Sequence, residues 1–148
     1  MKLVDLFTGQ EKTPNLEMHD KFEFVEYIKE SRFKDFFYPI TVASFLRKNG
    51  KQGKEELDMI YEFDRYIKPN TKINTLAGTP RKMLSLFATL SRTNKIVFNL
   101  LGQDPSGAKK ILDVVYDYVN QGGAAILLDN FDDPDLKYTK RIKLEISE

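Results

Sequence analysis

Two cap-and-proline pairs constrain the fold of this chain more than any other feature of its sequence. Thr79-Pro80 and Asp104-Pro105 each place a side chain that can accept a backbone N–H directly before a proline, which is favoured in the first turn of a helix. Apolar residues at helical spacing follow both pairs, so the sequence predicts helices over residues 80–91 and 105–121. Gly122-Gly123 ends the second helix, because glycine readily takes the left-handed conformation.

A short apolar run separates the two helices. Residues 95–101 are rich in β-branched side chains and are bounded by Asn94 and Gly102, which favours a buried strand, although a continuation of the helix stays open in so short a run. Residues 124–128 and 140–146 predict two further strands, the second with apolar side chains at alternate positions. The C-terminal half is therefore expected to run helix, strand, helix, strand, loop, strand.

The N-terminal half is expected to contain more helix than sheet. Residues 2–7 predict a short strand, and residues 8–20 an arm or loop. Helical spacing of apolar residues, interrupted at proline and glycine, predicts three helices: one from residue 21 to before Pro39, one over residues 40–48 and one over residues 54–68. We expect this half to pack on the C-terminal helix–strand–helix–hairpin unit, so that residues 1–148 form a single α+β domain.

The order of elements in the C-terminal half resembles a winged helix, in which a helix, a strand and a recognition helix precede a hairpin called the wing. The resemblance implies that residues 105–121 are the recognition helix and residues 129–137 the wing. The chain departs from the pattern because Leu101 and Asp104 leave no room for a separate second helix, and because the wing carries four aspartates, which phosphate repels. A scaffold for protein contacts and an unrelated α+β core are the alternatives.

Charge is unevenly distributed along a chain whose formal net charge is only +1. Residues 37–110 hold 13 Lys and Arg against six Asp and Glu, whereas residues 1–36 hold six against eight and residues 111–148 hold four against eight. A clustered cationic surface attracts phosphates, acidic proteins or anionic lipid. The basic centre is therefore the strongest functional indication in the sequence.

Eight central cations are candidates for a binding site. Four surround the glycine-containing loop after residue 46, two lie in the expected first turn of helix 80–91, where a cation opposes the helix dipole, and two flank the end of that helix. They are Arg47, Lys48, Lys51, Lys54, Arg81, Lys82, Arg92 and Lys95. They predict a surface that contacts nucleic acid or an acidic protein, and the alternative is a solvated basic surface with no ligand.

This pattern predicts a non-catalytic binding protein that contacts nucleic acid or a nucleoprotein complex. The alternative is a structural or adaptor subunit in a larger assembly. In that case the basic centre meets the acidic C-terminal flank of another copy or partner, or strand 140–146 pairs with another chain. A third hypothesis is an enzyme acting on a phosphorylated small molecule at residues 103–107, where a strand, a turn and a helix start meet.

Composition argues against several kinds of site. The absence of cysteine removes disulfides, thiolate nucleophiles and Cys-based metal sites. His19 is the only histidine, and neither glycine-rich phosphate-binding motif occurs. The aspartates of residues 129–135 lack the central glycine and final glutamate of an EF-hand loop. We therefore expect no metal, cofactor or catalysis. No apolar run approaches the roughly 18–20 residues that span a bilayer, so we expect a cytoplasmic protein without membrane contacts.

Overall fold

Helices surround a small parallel sheet in the computed structural model, which describes residues 3–12, 19–28, 39–129 and 136–143. There are two single-turn 3₁₀ helices in the described chain. Glu55–Leu57 comes before the α-helix Met59–Phe63, and Ile73–Thr75 comes after it. The described α-helices are α1 (Leu3–Phe7), α2 (Val42–Asn49), α3 (Met59–Phe63), α4 (Gly78–Leu90) and α5 (Pro105–Asn120), and the strands are β1 (Glu23–Phe24), β2 (Lys95–Phe98) and β3 (Ala124–Leu127). This is the α+β architecture that the sequence predicts.

The three described strands form one sheet in the order β1-β2-β3, and all of them run parallel. Glu23 pairs with Ile96 and Lys95 pairs with Ala124. Parallel neighbours cannot be joined by a tight turn and need a crossover, which α5 supplies between β2 and β3. The central strand is therefore covered, and Ile96, Val97 and Phe98 are all buried.

The sheet differs from the winged-helix outline. A wing is an antiparallel hairpin, whereas β2 and β3 are parallel. The expected strand over residues 140–146 is not formed at residues 140–143, and residues 144–146 lie outside the described part of the chain, as does most of the expected wing loop. The helix predicted over residues 105–121 is confirmed, but it is the crossover of a parallel pair.

Helix α4 is the centre of the packing. Residues 81–91 are buried without interruption, and α4 contacts α2, α3, the first 3₁₀ helix, α5 and β2. Met83, Leu84 and Phe87 are at most 1% exposed and belong to the main apolar core. The polar side chains of a helix that is buried on all sides need hydrogen-bond partners within the protein. The two cations on α4, Arg81 and Lys82, therefore need internal acceptors.

The helix starts follow the sequence signals only in part. Asp104 caps α5 as predicted, with Oδ1 accepting from the Gly107 amide at 2.9 Å. Helix α4 instead begins at Gly78, because the Arg81 amide already donates to the Ala77 carbonyl at 3.1 Å. Thr79 is therefore inside the helix and does not cap it.

Several N-terminal elements differ from the sequence-based predictions. Residues 3–7 form α1 and not a strand, with Leu6 buried. The expected helix from residue 21 is replaced by β1 in its first part, and residues 29–38 lie outside the described chain. The expected helix over residues 54–68 is broken into the first 3₁₀ helix, α3 and a loop. The arm expected over residues 8–20 is only partly described, because residues 13–18 are not included.

Candidate functional site

The eight predicted site cations divide into two groups of four. Arg81, Lys82, Arg92 and Lys95 have partners within the protein, whereas the other four are exposed and form no ion pair with a described residue. The first group lies on α4, after its end and on β2. The second group lies in the last turn of α2 and in the loop that follows it.

Arg81 and Lys82 are buried in the core. They are 6% and 2% exposed, respectively. The Arg81 Nη2 donates to the Leu76 carbonyl at 2.8 Å, and the Lys82 Nζ donates to the Val25 carbonyl at 3.0 Å. Both cations are therefore held inside the fold and cannot form part of an exposed basic surface, which corrects the prediction that they bind an external ligand.

Lys82 is the most perturbed titratable group of the described chain. Burial lowers the pKa of its amine from 10.5 to about 8, because a charged ammonium is poorly solvated in the core. The ammonium also lies 5.9 Å from the centre of the Phe24 ring, which gives it a weak electrostatic partner. Burial also raises the pKa of the Tyr61 and Tyr118 hydroxyls, with smaller effects from Asp58 and Glu56 respectively.

Arg92 and Lys95 form ion pairs with the N-terminal flank. The Arg92 guanidinium contacts the Glu23 carboxylate at 2.7 Å, and it also donates to the Asn49 carbonyl. Lys95 lies 2.6 Å from the Asp20 carboxylate. The sequence predicts that both cations bind an external ligand, but in the structure each forms an ion pair with a carboxylate of the same chain.

These internal contacts converge on one stretch of chain. Lys82, Arg92 and Lys95 contact residues 20–25, and the Ser85 hydroxyl donates to the Glu26 carbonyl at 2.6 Å. Part of the basic centre therefore fastens the acidic N-terminal flank to α4 and β2. The charge segregation seen in the sequence is partly neutralised within the fold.

The remaining predicted cations form an exposed basic loop, which we define as Arg47, Lys48, Lys51 and Lys54. All four are exposed, and none forms an ion pair with any residue that the structure describes. The loop is held by its backbone, since the Lys51 amide donates to the Ser91 hydroxyl at 2.9 Å. Glu55 and Asp58 follow the loop and are also exposed, so their negative charges partly offset its positive electrostatic potential.

A second cluster of exposed cations was missed by sequence reasoning. Arg65, Lys68 and Lys72 lie between α3 and the second 3₁₀ helix, together with Tyr66, which is 75% exposed. Tyr66 falls inside the helix that the sequence predicts over residues 54–68, but α3 ends at Phe63 and leaves Tyr66 in the loop that follows. Asp64 is the available signal, since its side chain can bond an amide two residues on and stop a helix.

The segment expected to hold a phosphate has its helix start occupied by its own side chain. Asp104 already accepts from the Gly107 amide. Gly107 is buried, and a Cβ added there would collide with the Thr79 hydroxyl. The start of α5 is therefore packed closely against the first turn of α4.

A shallow groove of about 610 Å³ lies between α5 and residues 137–139. Its lining includes Asp113, Asp117 and Lys137, and Asp113 is paired with Lys109 at 3.2 Å. The carboxylates and ammonium groups of this region balance, so it offers no strong attraction for an ion of either sign. Within the described ranges, no cluster of three or more His, Cys, Asp or Glu side chains could hold a metal.

Comparison with known proteins shows a likeness of fold and no family. No protein-family model matches the chain, and no curated protein matches it. A chain from the structure of an inward-facing ABC transporter, assigned to the metal-chelate type, superposes with a TM-score of 0.57 at 12% identity. The superposition covers 84% of this chain and 55% of that chain, so this chain spans about half the length of the structure it matches. Among the helices that the structure describes, none has the length and apolar character needed to cross a bilayer.

Proposed function

We propose that the protein is a non-catalytic binding protein that contacts nucleic acid or a nucleoprotein complex. The observation that supports the proposal is a set of exposed cations at the two ends of α2 that form no ion pair with any residue in the described part of the chain. The basic loop lies at its C-terminal end, and Lys72 pairs with Thr41 at its N-terminal end. An eight-residue helix is roughly 12 Å long, so the two clusters are close enough to follow one phosphate backbone.

The size of the surface fits a weak, salt-sensitive contact. Four of the predicted cations are engaged within the fold, which leaves the basic loop together with Arg65, Lys68 and Lys72. Each phosphate that a lysine or arginine neutralises releases a counterion, and binding then weakens as salt rises. If these seven cations make all of the phosphate contacts, their number limits the salt dependence of binding.

Titration with fluorescent DNA and RNA at 50 and 300 mM salt tests the proposal. We expect binding at low salt that weakens at high salt, and a shallower dependence when the basic loop is changed to glutamine at all four positions. Lys109, Lys110, Lys140 and Lys143 changed together to glutamine remove four exposed cations elsewhere, and this variant is the matched control. Binding that is absent at low salt, or that is unaffected by salt, contradicts the proposal.

The second candidate is a structural or adaptor subunit, and the edge of the sheet favours it. Strand β3 is an edge strand in the described sheet, and all four of its residues are only half-buried. Its residues are apolar and carry none of the charges that usually protect an edge from pairing. A strictly monomeric protein by light scattering at high concentration and low salt argues against self-assembly through this edge.

A further inference from the structure

Residues 64–72 form a well-ordered loop, which we name the tyrosine loop. The Asp64 carboxylate accepts from the Tyr66 amide at 2.9 Å, and the Asp64 carbonyl accepts from the Ile67 amide at 2.9 Å. The Lys68 amide donates to the Thr71 hydroxyl at 2.8 Å. The loop therefore holds its own shape, and its exposed side chains are presented from a fixed backbone.

The tyrosine loop is also anchored to the rest of the fold. Ile67 is only 3% exposed and belongs to the main core. The Ala43 amide donates to the Pro69 carbonyl at 3.0 Å, and the Val42 amide donates to the Thr71 carbonyl at 2.9 Å. The first amides of α2 are thus satisfied by this loop, which ties the two together.

Tyr66 extends from the anchored loop into solvent. It is 75% exposed and is the most exposed of the large apolar side chains described. The Arg65 guanidinium lies 5.0 Å from the ring centre and donates to the Tyr66 hydroxyl at 2.9 Å. A cation therefore lies against the ring, and most of the side chain stays exposed to solvent.

The surroundings of the ring are cationic and polar. Lys68 and Lys72 are exposed and form no ion pair within the described residues. Pro69, Asn70 and Asn74 are exposed as well. The Asp64 carboxylate accepts from the Tyr66 amide and partly offsets the positive charge of these cations.

We propose that the tyrosine loop binds single-stranded nucleic acid, with the exposed ring of Tyr66 stacked on a base and Arg65, Lys68 and Lys72 near the phosphates. This inference rests on the proposed function and assigns the site and the form of the nucleic acid. Unpaired strands expose base faces to aromatic rings, whereas a duplex hides them. Lysine is depleted in the core of protein–protein interfaces, and the tyrosine loop presents two exposed lysines, Lys68 and Lys72.

The absence of tryptophan in this chain gives a direct test of the ring contact. Tyr66→Trp introduces a single indole at the site. We expect its fluorescence to be quenched when dT20 or rU20 is added, and to change less with a 20-base-pair duplex. Tyr138→Trp, at a position that is 57% exposed outside the loop, is the control and stays unquenched. An indole at position 66 whose emission is unchanged at saturating dT20 overturns the proposal.

Affinities measured with labelled dT20 supply an independent readout. Tyr66→Ala is expected to lower affinity by about 5- to 150-fold, the range of one base stacked on one ring, and Tyr66→Phe by much less. Lys68→Gln with Lys72→Gln is expected to reduce the slope of log affinity against log salt by about 1.4. Tyr66 is exposed, so the variants are expected to fold, and circular dichroism checks this.

The outcomes separate the site from the function. Wild-type binding that Tyr66→Ala leaves unchanged overturns the tyrosine loop as the site but leaves the proposed function in place. Absence of any wild-type binding at low salt overturns both. Poly-glutamate that competes with dT20 and loses affinity equally on Tyr66→Ala identifies an acidic protein surface as the partner and overturns the nucleic-acid assignment.

Discussion

Lys82 carries its charge in the interior, where its ammonium donates to the Val25 carbonyl. A buried cation is tolerated because it is hydrogen-bonded, and because an amine can lose its proton when the medium is unfavourable. The lowered pKa, about 8, shows that burial destabilises the charged form. The residue therefore couples the stability of the fold to pH.

We expect the free energy of unfolding of the wild type to rise between pH 8 and pH 10 relative to Lys82→Met. Below pH 8 the amine is protonated in both the folded and the unfolded state, so the full cost of burying charge is present. Between pH 8 and 10.5 the unfolded state binds more protons, and stability must increase with pH. The gain is at most about 1.4 kcal/mol per pH unit.

Urea unfolding at pH 7.5, 8.5 and 9.5 measures this effect. Tyr61 and Tyr118 also make the free energy of unfolding depend on pH, but they are present in both the wild type and Lys82→Met, so their effect cancels in the comparison. Lys68→Met, which removes an exposed amine, should keep the wild-type dependence on pH. Parallel curves for the wild type and Lys82→Met would show that Lys82 does not titrate in this range.

At the scale of elements, α4 and α5 meet at their first turns. Gly107 is buried in the first turn of α5, directly against the Thr79 side chain in the first turn of α4. A glycine allows this approach because any Cβ would overlap the threonine hydroxyl. The contact fixes how closely the two helices pack, and thereby where the β2–β3 crossover lies.

Gly107→Ala is expected to destabilise the protein by about 1–3 kcal/mol, because overpacking forces the two helices apart. Thr79→Ala removes the overlapping hydroxyl and methyl, so the double variant should recover much of the loss. Ser106→Ala, at an exposed position in the same turn, is the control. Thermal unfolding of the four proteins measures the coupling, and additive effects would contradict the steric explanation.

At the scale of the whole molecule, opposite charges separated along the sequence are joined within the fold. The side chains of the Arg92–Glu23 and Lys95–Asp20 pairs are between 34% and 58% exposed, so each pair is worth only about 0–1 kcal/mol. Lys82 and Ser85 add hydrogen bonds to the carbonyls of Val25 and Glu26. Together they hold the edge strand β1 on β2.

Arg92→Gln with Lys95→Gln is expected to increase hydrogen exchange at residues 20–26 by a few-fold. The reason is that the edge strand loses two tethers while β2 and β3 keep their pairing. Mass spectrometry of deuterium uptake measures this, with peptides from β3 as the internal reference. Equal acceleration across β1 and β3 would show that the pairs support the whole fold and not the edge strand.

Local signals in the sequence predict the C-terminal elements well. Asp104, Pro105 and Gly122 specify the ends of α5 through contacts within a few residues, and the structure places that helix at residues 105–120. The parallel sheet is not predictable in this way. Phe22, Val25 and Ile28 follow helical spacing, yet Val25 donates to Val97 across the sheet, and only the distant strand decides between the two conformations.

The candidate site is predicted less well than the fold, because the sequence gives the sign of a charge and not its burial. Lys51 and Lys82 are both central lysines, but the first is exposed and the second is 2% exposed. The difference follows from the position of α4, which starts at Gly78 and is surrounded by other elements. Tyr66 was missed for the same reason, since its exposure depends on where α3 ends.

The pairing of β1 with β2 has a consequence for the order in which the polypeptide acquires its structure. Glu23 meets Ile96, about 70 residues later, whereas β2 and β3 are neighbours joined by one helix. Closing the longer loop costs more entropy and is slower. The pairing of β2 with β3 through α5 is therefore expected to form before β1 docks. Until β1 docks, the edge of β2 that it later covers is free to pair with chaperones or with other chains.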